Sequence, residues 1–370
     1  MSLSLACALL ATTSSAFAQL APALEDCTTT ISSIADATNA STCATVNING
    51  FTVPAGEGFT LNLADGATVN LLGDVLFGNK SWEGPLFTIR EQLHYLSLNG
   101  NGFIFDGGGP FYWDGLGGNG GILKPGPMMK IKMSGSFNNL KVVNSPRHVF
   151  SVSNGQRPLT ISGCTVDDSQ GFQPNNQSNG TAAGHNTDGF DISSSNVLFT
   201  GNTVISQDDC LAINKGSNIT FTNNTCSGGH GISVGSISSD ASVSNIAITD
   251  NTIINNDQAL RIKTKASAVN GSVANITYSG NTGTGMRRFG IIIDQGYPKT
   301  LGKPGTGVII SDVNFIGEMN NITVNDKAVR VAVNCGEGAC QGTWNWTSLV
   351  VTGGQKSNIS GFDGITGGSF

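Results

Sequence analysis

The chain has 370 residues, a formal net charge of −6 and a pI near 5.1. That balance excludes the basic stripe by which nucleic-acid binders hold phosphate, and it makes an acidic polymer an unexpected partner unless positive charge is gathered at one spot. Fifty glycines with only 12% charged residues suit strands and tight turns better than helices.

Residues 1–18 read as a secretory signal. Leu3 to Ala11 is an apolar run too short to span a membrane, and Ala16-Phe17-Ala18 is a small-residue cleavage pattern, although no Lys or Arg precedes the run. No later stretch is long and apolar enough for a transmembrane helix. The mature chain is therefore expected to be secreted and soluble, starting near Gln19, with no membrane partner. Residues 19–370 contain no linker-like break and are expected to form a single domain.

Residues 28–37 carry helical spacing through Ile31, Ile34 and Ala35 and are predicted to form a short N-terminal capping helix. From Asn49 to Asp106 apolar and polar residues alternate, the pattern of strands with one face buried. Residues 107–121 are Gly-rich with Phe111, Tyr112 and Trp113, and are expected to be a plain surface loop, with the wall of a sugar cleft as the alternative. They lack the following helix that a phosphate-binding loop needs. Residues 170–184 are polar and loop-like; among the Asn-x-Ser/Thr sequons, Asn176 and Asn179 in this stretch are the better glycosylation candidates.

Of eight cysteines, Cys7 leaves with the signal. Cys27/Cys43, Cys210/Cys226 and Cys335/Cys340 are close in sequence, and each pair could close a short loop in an oxidising compartment. Cys164 is left over and is expected to be a buried free thiol behaving as a small hydrophobe.

The region from His185 to Lys263 is built of similar lines. Phe190-Asp191-Ile192, Leu211-Ala212-Ile213, Ile232-Ser233-Val234 and Leu260-Arg261-Ile262 each place apolar residues on both sides of a different middle residue. Two residues before the first apolar member stand Asp188, Asp209 and His230, at 21-residue intervals; in the fourth line Arg261 and Lys263 lie on the face opposite Leu260 and Ile262. Upstream in each line, Asn196/Asn202, Asn218/Asn224, Asn245/Asn251 and Asn275/Asn281 repeat a six-residue spacing, with starting points 22, 27 and 30 residues apart. Self-similarity at this period marks a solenoid. Asn tolerates the left-handed turn a sharp corner needs, and stacked Asn side chains can bond along a ladder. No helical stretch separates the strands, so a parallel α/β fold is excluded in favour of an all-β parallel β-helix.

If the lines stack, Asp188, Asp208 and Asp209 come together with His230 one coil further on. Neighbouring carboxylates perturb one another's protonation, so one can serve as general acid while another stays ionised. Arg261 and Lys263 supply fixed positive charge for a substrate that carries its own carboxylate. This combination suits hydrolysis of an acidic polysaccharide.

Asn186-Thr187-Asp188, Gln207-Asp208-Asp209-Cys210, Gly229-His230-Gly231 and Arg261-Ile262-Lys263, in this order and spacing, resemble the signature of the polygalacturonases, best that of the fungal endo-acting enzymes. The resemblance covers essentially all the mature chain, including the N-terminal cap, the three cysteine pairs and Gln295-Gly296-Tyr297. It implies a right-handed parallel β-helix and hydrolysis of the α-1,4-galacturonosyl linkages of homogalacturonan with inversion. Asp208 would protonate the glycosidic oxygen, Asp188 and Asp209 would activate water, and His230 would tune the acid. Arg261, Lys263 and Tyr297, with Asn186, would hold the substrate. No cofactor or metal is implied, and a monomer is expected. The family commonly has another residue where Gly296 stands. Rival readings are an exo-acting polygalacturonase, a hydrolase of rhamnogalacturonan or xylogalacturonan, a calcium-dependent pectate lyase, and a non-catalytic polysaccharide-binding solenoid.

Overall fold

The computed structural model describes residues 23–91, 95–153 and 157–370. The 18-residue signal expected at the start lies outside the described residues.

Nearly every strand pairs in parallel with the strand one coil before it and the strand one coil after it, within one sheet of 32 strands. Three rows result. The first includes Leu96–Asn99, Gly135–Asn138, Leu159–Ser162 and Val197–Thr200 and continues through Ser242–Thr249 and Gly271–Ser279 to Val308–Phe315. The second includes Met129–Lys132, Phe150–Val152, Phe190–Ser193, Leu211–Thr222, Ile232–Ile237, Gln258–Lys265 and Phe289–Tyr297. The third is built of short strands such as Lys141–Val143, Thr165–Asp167, Thr203–Ile205, Thr225–Ser227 and Thr252–Ile254. The molecule is a parallel β-helix.

The cause is the repeat. Alternate residues point inward, so Phe190, Leu211, Ile232, Leu260 and Ile291 form one continuous file and are all buried. One apolar cluster reaches from Ile31 to Val351. Phe137, Phe150, Phe190, Phe199 and Phe221 pack ring to ring within it. Emptying such a position, as in Phe190→Ala, costs about 3–5 kcal/mol.

Corners are turned by asparagine. Asn196, Asn218, Asn245 and Asn275 all have φ between 55° and 60°, the left-handed conformation that Asn adopts at little cost. Their side chains bond along the stack, Asn218 to Asn196 at 3.1 Å, Asn245 to Asn218 at 3.2 Å and Asn275 to Asn245 at 2.8 Å. The spacing read from the sequence is therefore the spacing of the coils.

Two expectations are corrected. In place of a helix over residues 28–37, the chain forms a strand, Glu25–Ile31, followed by a 3-10 segment, Ile34–Ala40. β-branched Thr28, Thr29, Thr30 and Ile31 pair in parallel with Cys43–Ile48, and ladder bonds to a neighbouring strand outweigh a helical spacing of only three apolar residues. The Gly-rich stretch 107–121 is not a plain surface loop either. Tyr112 and Trp113 are buried, and Trp113 Nε1 donates to the carbonyl of Ser145 at 3.0 Å.

Disulfides join Cys27 to Cys43, Cys210 to Cys226 and Cys335 to Cys340. Cys164 is free and buried, and burial pushes its thiol up to about 12. No helix among the described residues is long and apolar enough to cross a membrane.

Candidate active site

The second row of strands carries a cavity of about 450 Å³ on its outer face. Asp188, Asp208, Asp209, His230, Arg261, Lys263, Tyr297 and Asn186 all line it, so the structure brings together every site residue expected from the sequence. The register explains why. Phe190 pairs with Leu211, Leu211 with Ile232 and Ile232 with Leu260, so the residues just ahead of each strand arrive at the same height on successive coils.

The two adjacent aspartates point to different partners. Asp209 has no exposed surface. One of its oxygens accepts from Ser233 Oγ at 2.9 Å and from Arg261 Nη2; the other accepts from Lys263 Nζ at 2.6 Å. Arg261 Nε also donates to Ser233 Oγ at 2.9 Å, which fixes the guanidinium, and Lys263 Nζ sits 5.3 Å from the centre of the Tyr297 ring. Asp208 instead meets His230 Nδ1 at 2.8 Å through one oxygen, and through the other accepts from Asn186 Nδ2 at 3.1 Å. His230 thus sits on Asp208 rather than on Asp209, because its backbone N–H bonds the Asp208 carbonyl at 2.9 Å.

Glycine flanks that histidine because nothing else fits. A Cβ at Gly229 would lie 2.0 Å from the Asp208 carbonyl oxygen, and one at Gly231 would lie 2.0 Å from that of Gln258. Gln207 and Thr187 lie beneath the site. Thr187 Oγ1 donates to Gln207 Oε1 at 2.9 Å, and Gln207 Nε2 reaches the Asp168 carbonyl at 2.8 Å, tying the coils that carry Asp188 and Asp208.

Asn186, expected to contact substrate, is placed at the cavity with its amide engaged inside the protein. Its Oδ1 accepts from the Gly118 N–H at 3.0 Å and Asn119 Nδ2 at 3.3 Å, while its Nδ2 holds Asp208. It joins the 107–121 stretch to the acid cluster, and Asn119 of that stretch lines the cavity. His148 and Asp191 also line it and were not singled out from the sequence. Asp191 could have been found, being the one carboxylate among the middle residues of the four repeated lines; His148 lies outside them.

Protonation follows from burial and neighbours. Burial, then the charges of Asp208, Asp191 and Asp209, push Asp188 well above the usual carboxylate range. Asp191 is raised by burial, against the opposing charge of His148. Burial would raise Asp208 too, but the hydrogen bond and charge of His230, followed by Lys263 and Arg261, outweigh it and hold Asp208 below the usual range. Burial would lower His230, and its bond to Asp208 reverses that, so the imidazole is raised. The groups titrate as a set.

Among the described residues, two triads bring metal-ligand atoms within 4.8 Å of one another, His148 with Asp188 and Asp191, and Asp208 with Asp209 and His230. In the second, Asp209 is already held by two cations. In the first, the ring faces one carboxylate with each nitrogen, Asp188 at 3.6 Å and Asp191 at 3.5 Å. The arrangement is one for proton transfer beside fixed positive charge.

The sequence matches the glycosyl hydrolases of family 28 over residues 43–363. The chain belongs to that family. This glycoside hydrolase is 38% identical over 337 residues to endopolygalacturonase B of Aspergillus oryzae, covering 89% of this chain and 88% of the relative. Its fold superposes with a TM-score of 0.86 and 45% identity on endopolygalacturonase I of Stereum purpureum, solved with two galacturonates, covering 92% of this chain and all of that one. An endo-xylogalacturonan hydrolase from Aspergillus tubingensis shares the fold, with a TM-score of 0.62 at 23% identity, covering 92% of this chain and 95% of that one.

Proposed function

We propose that this family 28 hydrolase is a secreted endo-polygalacturonase that cuts α-1,4-galacturonosyl linkages of homogalacturonan with inversion. The observation that carries the reading is the pairing of Asp208 with His230 in a cavity that Arg261 and Lys263 also line. The first pair handles a proton, and the second suits a sugar carboxylate. Likeness to endopolygalacturonases of Aspergillus and Stereum, the latter holding galacturonate, supports the substrate.

Asp208 donates the proton to the glycosidic oxygen. In the free site it is ionised beside an imidazolium, and one shift along the 2.8 Å hydrogen bond gives a carboxylic acid beside a neutral imidazole. The His230–Asp208 pair therefore stores the proton that the leaving oxygen needs. Asp188 takes the proton of the attacking water. Asp209, fully covered and held by three donors, keeps Arg261 and Lys263 aligned for the galacturonate carboxylate, with Tyr297 beside them, and joins Asp188 in shaping the field at the water. Asn186 steadies Asp208.

Inversion needs a carboxylate pair about 6.5–9.5 Å apart with water between, whereas neighbouring coils are about 4.8 Å apart. A buried, unbonded oxygen on Asp188 and the complete cover over Asp209 favour attack by water over attack by a carboxylate. The crossover rule for parallel strands favours a right-handed coil, and Ile34–Ala40 is read as part of the N-terminal cap. Residues 1–18 are read as the signal, residues 19–370 as one catalytic domain acting as a monomer.

Digestion of polygalacturonate, followed by viscosity against reducing ends, tests the reading. Random internal cuts give a steep early viscosity loss; slow loss with only monomer released would make the enzyme exo-acting. Proton NMR of the first product tests the stereochemistry, and retention of the substrate's anomeric configuration would remove inversion.

A further inference from the structure

His148 stands just ahead of the strand Phe150–Val152, one coil before Asp188 and Asp191. Its imidazole lies across the two carboxylates, with Nε2 3.6 Å from Asp188 Oδ1 and Nδ1 3.5 Å from Asp191 Oδ2. Those two oxygens are the buried carboxylate atoms of the cavity that accept no hydrogen bond. Asp188 is 8% exposed, while the His148 side chain is 40% exposed. A half-open imidazole thus faces two orphaned oxygens, one with each nitrogen.

We propose that His148 is a positioning residue for the water-activating side of the site, its imidazolium bridging Asp188 and Asp191 so that Asp188 remains an ionised base in acid. The proposal rests on the reading of Asp188 as the base.

The need for such a bridge follows from the charges. Four carboxylates, Asp188, Asp191, Asp208 and Asp209, share the cavity with Arg261 and Lys263. Asp209 engages both of those cations, and His230 serves Asp208. Asp188 and Asp191 are left with each other and with His148. Burial and like charge favour a proton on Asp188, and a protonated Asp188 cannot take one from water. An imidazolium donating one N–H toward each carboxylate favours the ionised form of both, and the charge of His148 already acts on Asp191 in that sense. Other charges near His148 do not replace it. Arg147, next in the chain, turns Nη2 to the Gly126 carbonyl at 3.4 Å, and Lys130 and Lys132 belong to the preceding coil, where Lys130 pairs with Ser151. On the following coils Asp208 and Asp209 raise both carboxylates and Lys263 lowers them.

The test is kcat against pH on polygalacturonate for the whole enzyme, His148→Gln and His148→Lys, with melting temperatures as a control for folding. Asp188 must be ionised to work, so loss of the cation raises its pKa and activity fails sooner as pH falls. In His148→Gln the acid limb should move up by about one pH unit, the order expected from one opposite charge within ~4–6 Å, and His148→Lys should bring it back toward wild type. An acid limb that does not move overturns the proposal. So does a rise in KM with an unmoved limb, which would make His148 a substrate contact, or a shift that His148→Lys fails to reverse. Asp188→Asn separates this from the reading beneath it. If that variant keeps its turnover, Asp188 is not the base at all; if it loses turnover while His148→Gln keeps the wild-type limb, only the bridge is lost.

Discussion

Two stacks of polar side chains run through the same coils, and they behave in opposite ways. Asn202, Asn224, Asn251, Asn281 and Asn320 are all buried, and each of the first four amides donates to the side-chain oxygen of the next at 2.8–3.1 Å. The second N–H of each of the first four goes to a backbone carbonyl, and from Asn224 onward each side-chain oxygen also takes a backbone N–H. An amide is donor and acceptor at once, so identical copies satisfy one another and the ladder can continue indefinitely. The aspartates of the cavity are acceptors only. Placed at the same spacing they repel, and each needs a cation or a proton: Asp209 has Arg261 and Lys263, Asp208 has His230, and Asp188 has an oxygen with no hydrogen bond. One stack holds the fold together. The other keeps a proton in play.

Exchanging the two chemistries breaks the comparison most sharply. Asp208→Asn makes the cavity resemble the ladder, and turnover should fall by about 10²–10⁴ because an amide cannot give up the proton. Binding of oligogalacturonate, followed by calorimetry, should change little; an active Asp208→Asn enzyme would move the acid elsewhere. Asn251→Asp makes the converse change. It removes two donors beside the Asn281 oxygen and the Phe221 carbonyl, and should cost about 3–5 kcal/mol in a denaturant titration. A carboxyl buried there has a raised pKa, so the loss should be small below about pH 4, where the unfolded carboxyl is protonated too, and should grow as pH rises. A penalty that does not vary with pH would speak against a buried charge as its cause.

Smaller changes sharpen the contrast within the cavity. His230→Ala should lower turnover by about 10²-fold. Because the folded imidazole is raised, the stored proton is retained until pH climbs past that raised value; without the imidazole the alkaline limb of kcat should move to lower pH. An unmoved limb at near-normal turnover would reduce His230 to a turn residue. Lys263→Asn should act mainly on KM, by about tenfold, the scale of one charge-assisted hydrogen bond. The loss should shrink on methyl-esterified pectin, where the carboxylate is masked; an equal loss on both substrates would mean that Lys263 serves only Asp209.

Much of this was legible in the chain. The 21-residue interval from Asp188 to Asp209 to His230, and the recurrence of Asn196, Asn218, Asn245 and Asn275, specify the coil because a strand's period of two allows no slip without turning its apolar face outward. The file of Phe190, Leu211, Ile232 and Leu260 therefore follows from the chain alone, and the catalytic candidates come with it. The stretch 28–37 misled because three apolar residues at helical spacing say little against strand pairing available only in three dimensions.

What the sequence determined was which residues share a level of the stack; what the tertiary structure decided was which atoms meet there. Asp208 and Asp209 are neighbours in the chain, yet one turns to His230 and the other to Arg261 and Lys263. Asn186 closes on Asp208 and on the 107–121 stretch, whose Tyr112 and Trp113 fold inward. His148 lies outside the repeated lines, and only the coil places its ring between Asp188 and Asp191. Periodicity fixes heights along an axis, because backbone hydrogen bonds repeat. Side-chain direction and protonation depend on desolvation and on charges from other coils, and those exist only once the coils are stacked.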